Sequence, residues 1–118
     1  MASSILSPAG NYRSTATALT DTNATVVYTC PTSATAAFIA WINICDTSGG
    51  TGTATIQWVD SSASATWTIV NAKAIAANAA IDMELPIVLE PGDTLKVTAD
   101  AATLHVIVTV LEVAGRKS

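Results

Sequence analysis

The segment Thr53-Ala-Thr-Ile-Gln-Trp-Val-Asp60 alternates between an apolar set of side chains and a mainly polar set. Successive residues of a β-strand point to opposite faces of the sheet, whereas a helix brings apolar residues together every three or four positions. The alternation therefore predicts a strand in which Ala54, Ile56 and Trp58 face a core.

The same period of two recurs along the chain. Trp67 and Ile69 are expected to face the core between their flanking threonines, and Leu95 and Val97 are expected to do so further on. No segment shows a convincing helical period, although the alanine-rich residues 71–81 would tolerate a helix. The chain is predicted to be all-β.

Gly, Pro, Asp, Asn and Ser separate the candidate strands. The turn Glu90-Pro91-Gly92-Asp93 has Pro at its second position and Gly at its third, which is typical of a type II turn. In chain order, the candidate strands are residues 13–19, 24–30, 36–46, 53–60, 66–71, 74–85, 94–100 and 103–113. Short strands at this spacing indicate an antiparallel β-sandwich of about eight strands, with a jelly-roll-like topology.

The chain of 118 residues fits one domain. We predict a β-sandwich domain at residues 13–113, preceded by an irregular N-terminal arm at residues 1–12. A short basic tail follows at residues 114–118, where Arg116 and Lys117 are adjacent.

Two candidate strands are apolar on both faces. In residues 36–46, Phe38, Ala40, Ile42 and Ile44 share one face, and Ile39, Trp41 and Cys45 share the other. In residues 103–113, Leu104, Val106, Val108 and Val110 lie opposite Ile107, Leu111 and Val113. A sheet with one face in water should not be apolar on both faces, so something must cover these strands.

Two kinds of cover are open at this point. The arm or loops of the same chain could lie over the second face, or another subunit could. The second alternative predicts a subunit interface formed by Ile39, Trp41, Ile107, Leu111 and Val113, with arm contacts from Ile5, Leu6 and Tyr12.

The charge content is low and excludes some classes of function. Only 12% of residues are charged, about half of the usual share, and the formal net charge is −4. The five Lys and Arg residues are scattered apart from the tail pair, so we expect no nucleic-acid partner.

No apolar run approaches the ~20 residues of a membrane span, and the N-terminus lacks the features of a signal peptide. We therefore expect no membrane association.

The chain offers few residues for catalysis. His105 is the only histidine, and Cys30 and Cys45 are expected to be free thiols that do not lie beside it. Asp82 and Glu84 could share a strand face, which would suit a pair of acids, but we interpret them as solvated carboxylates on an outward face. We expect no enzyme activity, no catalytic residue, no cofactor and no metal site.

A family resemblance comes from four phrases of the sequence. These are residues 24–31 (ATVVYTCP), 37–46 (AFIAWINICD), 86–95 (PIVLEPGDTL) and 106–112 (VIVTVLE). Together they resemble small β-sandwich virion structural proteins of tailed bacteriophages, which serve as capsid decoration (cement) or tail-associated proteins.

The resemblance implies a non-enzymatic structural protein, most simply a capsid decoration protein that stabilises a phage head. Such a protein would self-associate, with a trimer favoured, and would contact the major capsid protein or other virion proteins. It would reside in the virion after assembly in the host cytoplasm. The alternatives are a tail or neck component, or a carbohydrate-binding module for the host surface that would use Trp41 as an exposed ring.

Overall fold

The alternating sequence produces strands throughout the described chain. The computed structural model describes residues 10–101 and 103–114, and every regular element within them is a β-strand. The strands are β1 (Gly10–Ala18), β2 (Thr25–Thr29), β3 (Ala34–Asp46), β4 (Gly52–Asp60), β5 (Ala65–Ile75), β6 (Ala80–Met83), β7 (Val88–Leu89), β8 (Thr94–Ala99) and β9 (Leu104–Ala114). In this part of the chain, no helix is long and apolar enough to cross a membrane. The all-β prediction is confirmed.

The strands form two antiparallel sheets. The first sheet has the order β1-β9-β3-β6, with β7 also paired to β3, and the second has the order β2-β8-β4-β5. Strands β6 and β7 both pair with β3 and are separated by a segment that contains Pro86, so they act as one interrupted strand. Counted in this way, the order is that of an eight-stranded jelly roll, and the predicted sandwich is confirmed.

The core lies between the sheets and is built from one face of each. Ile42 and Val108 of the first sheet and Ile56 and Val97 of the second have no exposed surface. Burial of each such side chain contributes roughly 1.5–3 kcal/mol. The inward positions predicted from alternation and confirmed as buried are Ala54, Ile56, Leu95, Val97, Leu104, Val106, Val108 and Val110.

The turn before β8 has the predicted geometry. The Asp93 N–H donates to the Glu90 carbonyl at 2.9 Å, and Gly92 has φ of 91°. Pro91 favours the φ of the second turn position, and glycine accepts the positive φ of the third without strain. The type II prediction is therefore confirmed.

Two regions differ from the predicted boundaries. β1 begins at Gly10, so Tyr12 belongs to a strand instead of the irregular arm. The region predicted as strands 66–71 and 74–85 folds as one longer strand, β5, followed by a turn and the short β6. Asn78 has φ of 55° in that turn, and Ala72 has φ of 50° within β5, where the register to β4 is irregular. Alanine-rich sequence carries no alternation that could have located these breaks.

Candidate interaction surface

The outer face of the first sheet carries a row of large apolar side chains across four strands. The register pairs Tyr12 of β1 with Leu111 of β9, Leu111 with Phe38 of β3, and Phe38 with Val88 of β7. Such partners lie on one face with Cβ atoms ~4.5–5.5 Å apart. Tyr12 is 72% exposed, Phe38 42% and Val88 46%, and Leu111 is half-buried. Residues 10–101 and 103–114 therefore leave this row uncovered; the N-terminal arm before Gly10, the other cover considered above, lies outside the described residues.

Two more apolar side chains lie along the same face. Trp41 is 50% exposed and Ile107 is 40% exposed. Trp41 is the register partner of Thr109, whose hydroxyl shares a 2.8 Å hydrogen bond with the hydroxyl of Ser14. Small hydroxyl groups thus separate the larger apolar groups. We call the set the outer apolar face; it consists of Tyr12, Phe38, Trp41, Val88, Ile107 and Leu111.

Of the predicted interface residues, Trp41 and Ile107 lie exposed on this face, and Leu111 and Val113 are half-buried. The prediction for Ile39 is wrong, because Ile39 is only 6% exposed and belongs to the core. The register of β3 to β9 shifts between Ile39 and Trp41, so the two residues point to opposite faces.

Phe38 takes the outer position predicted for Ile39. The buried apolar positions of β3 are Ala37 and Ile39 before the bulge and Ile42 and Ile44 after it. The inward-facing positions change from odd-numbered to even-numbered residues at the small Ala40. A prediction that assumes unbroken alternation does not detect this change.

The predicted arm contacts have two outcomes. Ile5 and Leu6 lie outside the described residues. Tyr12 lies within β1 and is the most exposed member of the outer apolar face.

The prediction that Trp67 is buried is wrong. Trp67 is the register partner of Trp58, as alternation requires, but it is 55% exposed while Trp58 packs against the core. The reason is its position on β5, an edge strand of the second sheet. An edge strand has a neighbouring strand on one side only, so Trp67 is covered less than Trp58 on the central strand β4. The molecule thus has two exposed tryptophans instead of the one predicted.

An open cleft of about 410 Å³ lies beside the outer apolar face and is lined by Trp41, Asp82, Met83 and Glu84. Both carboxylates are exposed, and Asp82 accepts a 2.7 Å hydrogen bond from the Asn43 amide. Glu84 lies just beyond the end of β6. The cleft combines one aromatic ring with two solvated acids.

The structure corrects the expectation that neither cysteine lies beside the histidine. Cys45 of β3 and His105 of β9 are direct register partners on the outer face, while Cys30 is buried elsewhere. Both thiols are free. No group of three metal-ligating side chains within the described ranges includes Cys45 or His105.

A buried carboxylate holds one end of the sandwich together. Asp93 has no exposed surface, and its Oδ1 accepts from the Ser61 N–H at 2.9 Å and the Ser61 hydroxyl at 3.0 Å. Its Oδ2 accepts from the Trp58 indole at 3.2 Å and the Glu90 N–H at 3.0 Å. Burial alone would raise the pKa of the Asp93 carboxyl, but these donors outweigh it and hold the pKa below the ordinary value.

Asp60, Glu90 and Asp93 place carboxylate oxygens within 4.8 Å of one another, the spacing of a cation site. However, four donors already engage Asp93, which matches the lone-pair capacity of a carboxylate. The arrangement serves to tie the β4–β5 hairpin to the turn before β8.

Asp46 is the buried carboxylate at the end of β3, and it is paired less completely. Its Oδ1 accepts from the N–H and the hydroxyl of Ser48, at 2.8 and 2.7 Å, and these bonds lower the pKa of the carboxyl. Its Oδ2 is buried without a hydrogen-bond partner among the described residues. A Cβ on Gly52 would stand 3.0 Å from this oxygen, so glycine permits the close approach.

A polar contact joins the two sheets at the open side of the sandwich. The Tyr28 hydroxyl of β2 donates to Glu112 of β9 at 2.5 Å, and the Arg13 guanidinium of β1 lies 3.7 Å from the same carboxylate. Burial and the neighbouring carboxylate raise the pKa of Tyr28 well above its usual range. The contact fixes how β1 and β9 sit over β2.

Comparisons with known proteins show the fold and no closer relationship. No family model matches the sequence, and no curated protein matches it. The chain is similar in structure to the subunit of Bacillus endospore appendages, described as a novel family of disulfide-linked pili. The TM-score is 0.52 and the identity 15%, over 90% of this chain and 88% of that one.

Two more distant likenesses have TM-scores below 0.5. One is a pentameric capsid protein isolated from metagenomic phage sequences, with a TM-score of 0.45 and 16% identity over 88% of this chain and 62% of that one. The other is a Clostridium thermocellum endo-1,4-β-D-xylanase with a family 22 carbohydrate-binding module. Its TM-score is 0.37 at 13% identity, over 88% of this chain and 25% of that one. At 15% identity, the likeness to the appendage subunit shows a shared fold and nothing about function.

Proposed function

We propose that this chain is a non-enzymatic structural protein that assembles with copies of itself through the outer apolar face. The observation that carries the proposal is the row of Tyr12, Leu111, Phe38 and Val88, flanked by Trp41 and Ile107, on one side of the sandwich. Exposed apolar patches of this kind on small domains mark protein contacts.

Cover of the outer apolar face by a partner would be energetically favourable. Burial of a large apolar side chain against a partner contributes roughly 1.5–3 kcal/mol, so the three exposed aromatic rings alone could supply several kcal/mol. Aromatic side chains also dominate the energy of protein interfaces. The low charge content means that copies repel one another weakly, which favours dense packing.

Absence of enzyme activity is part of the proposal. Two carboxylates at the centre of polar contacts have structural partners: Asp93 is held by four donors, and Glu112 is held by Tyr28 and Arg13. A buried carboxylate with such partners is occupied in holding strands together and is poorly placed to act as a base.

In its finer form, the proposal is a capsid decoration protein of a tailed phage. The sequence resemblance supports this form, and a rigid β-sandwich with one adhesive side suits the role. The assembly would be a homo-oligomer, a trimer by the resemblance, seated on the major capsid protein of a virion after assembly in the host cytoplasm. A tail or neck position would use the same surface.

The self-assembly proposal is tested with the double variant Trp41→Ala, Ile107→Asp. It should yield a folded β-rich protein, because both side chains lie on the outer face, and static light scattering should show a lower mass than that of the wild type. The matched control Gln57→Asp changes the outer face of the second sheet and should keep the wild-type mass. An unchanged mass for the double variant would refute the proposal.

The decoration role is tested separately by cryo-electron microscopy of particles that contain this chain. Density for the jelly roll on the outer surface of the capsid supports it, and density confined to the tail or neck refutes it. Either result leaves the self-assembly proposal to the light-scattering test.

A second candidate function is recognition of a surface carbohydrate. The specific observation is the open cleft lined by Trp41, Asp82 and Glu84. Sugar rings stack on aromatic side chains, and sugar hydroxyl groups donate hydrogen bonds to carboxylates. Titration with a panel of soluble oligosaccharides should then change the tryptophan fluorescence of the wild type and not of Trp41→Ala. No change in the wild type with any sugar would reject this candidate.

A further inference from the structure

The four sheet edges of the sandwich differ in how well they are protected against pairing. β2 has five residues and an irregular register to β8, and β5 has two register shifts and a positive φ at Ala72. β6 and β7 are short and are separated by Pro86. Shortness, bulges and proline are the usual means by which proteins block edge pairing.

β1 has none of these features. Its nine residues pair with β9 without a register shift, it contains no proline, and Arg13 is its only charged residue. A long, flat, weakly charged edge is a template for another strand.

The backbone groups on that free edge can be identified. The Leu19 N–H donates to the Leu104 carbonyl at 2.9 Å, and this pair continues the β1–β9 register. Hydrogen-bonded pairs alternate in an antiparallel ladder, so the odd-numbered residues of β1 face β9. The N–H and C=O groups of Tyr12, Ser14, Ala16 and Ala18 therefore point to the free edge, and all four side chains are exposed.

We propose that this edge pairs in antiparallel fashion with β1 of a second copy, about a twofold axis at Ser14. In this register, Tyr12 lies opposite Ala16 of the second copy and Gly10 opposite its Ala18, so the outward groups meet as hydrogen-bonded pairs. Arg13 lies opposite Thr15 of the second copy, and it keeps its own partner Glu112. The pairing thus brings no like charges face to face.

A second copy of the chain is the partner that best fits the free edge of β1. The other edges of a copy are short or interrupted, so β1 is the strand that a copy can offer over its full length. Pairing also joins the outer apolar faces of two chains on one side of a continuous sheet, because Tyr12 heads the apolar row. The inference deepens the proposed function, since a twofold contact combined with a cyclic one extends an assembly.

The test uses the full chain with Ala16→Pro, which removes one free-edge N–H and none that faces β9. The matched control Ala16→Ser keeps that N–H. The light-scattering mass should fall by about two-fold or more for Ala16→Pro and should stay at the wild-type value for Ala16→Ser. A folded Ala16→Pro protein with the wild-type mass would overturn the edge pairing and leave self-assembly through the outer face intact. A wild type that is monomeric throughout would overturn both.

Cross-linking tests the register even where the proline variant fails to fold. In a Cys45→Ala background, Ser14→Cys would place two thiols across the twofold axis at a Cα separation of about 5.5 Å, which a disulfide can bridge. The matched variant Ala18→Cys would place them roughly 27 Å apart, eight residues along the strand. Mild oxidation should give a covalent dimer for Ser14→Cys alone. No dimer, or equal dimer from both variants, overturns the inference.

Discussion

The outer faces of the two sheets are both built from antiparallel strands, but their side chains differ in polarity. On the second sheet, one cross-strand row reads Thr29, Thr94, Val59 and Thr66, and the next reads Val26, Lys96, Gln57 and Thr68. On the first sheet, the corresponding row is Tyr12, Leu111, Phe38 and Val88. Threonine favours the strand conformation and is stable in contact with water. A row of large apolar side chains is stabilised when a partner buries it. This difference is the basis of the proposal that the first face contacts protein while the second contacts solvent.

The largest effect is expected when the first face is made to resemble the second. The triple variant Tyr12→Thr, Phe38→Thr, Val88→Thr keeps β-forming residues but removes the exposed part of the row. We expect association to weaken by at least about 3 kcal/mol, or roughly 150-fold, in sedimentation equilibrium. The reciprocal control Val26→Thr, Val59→Thr should leave association unchanged, and a comparable loss in the control would remove the distinction between the faces.

A smaller effect, on folding alone, is expected from the buried anchor at the turn. Asp93→Ala leaves the Trp58 indole and the donors of Ser61 without their acceptor. The free energy of unfolding in urea should fall by about 2–4 kcal/mol. Asp60→Ala, close by and only half-buried, should cost less than about 1 kcal/mol. If the two variants were equally stable, the hydrogen bonds to Asp93 would not be its source of stability.

The same carboxylate predicts how stability depends on pH. Its pKa is lower in the folded protein than the ordinary value of ~3.9, so the unfolded chain binds its proton first as the solution is acidified. The stabilisation is complete above the unfolded-state pKa and is lost as the pH falls through the folded-state pKa. Urea denaturation between about pH 5 and pH 2 should show this decline, with a shallower slope in Asp93→Asn. Equal slopes would contradict the assignment to Asp93.

The smallest effect is expected on the outer face of the second sheet. Thr98→Ala of β8 alters a half-buried threonine whose register partner on β4 is Thr55. Stability and association should both stay within about 0.5 kcal/mol of the wild type, by urea denaturation and sedimentation. A loss of association in this variant would mean that the second face also takes part in assembly.

Sequence patterns were sufficient to predict the sandwich, because alternation and turn residues act locally. Ala54, Ile56, Leu95 and Val97 are buried as their period of two requires. The type II turn at Pro91–Gly92 was predictable from the conformational preferences of proline and glycine alone.

Where the predictions were wrong, long-range features decided the outcome. Ile39 is buried because the β3 ladder shifts beside it, and Trp67 is exposed on β5, which is an edge strand. The anchoring role of Asp93 depends on Trp58 and Ser61, which are more than thirty residues away in sequence. None of these contacts has a local signature.

The most direct test of the account compares Trp41 with Trp67, two rings of nearly equal exposure, 50% and 55%, on different sheets of the single chain. Hydroxyl-radical footprinting with mass spectrometry would follow the oxidation of each as the protein is concentrated. The account predicts that Trp41 becomes protected several-fold while Trp67 continues to react as in the monomer. Equal reactivity of the two rings at every concentration would contradict it.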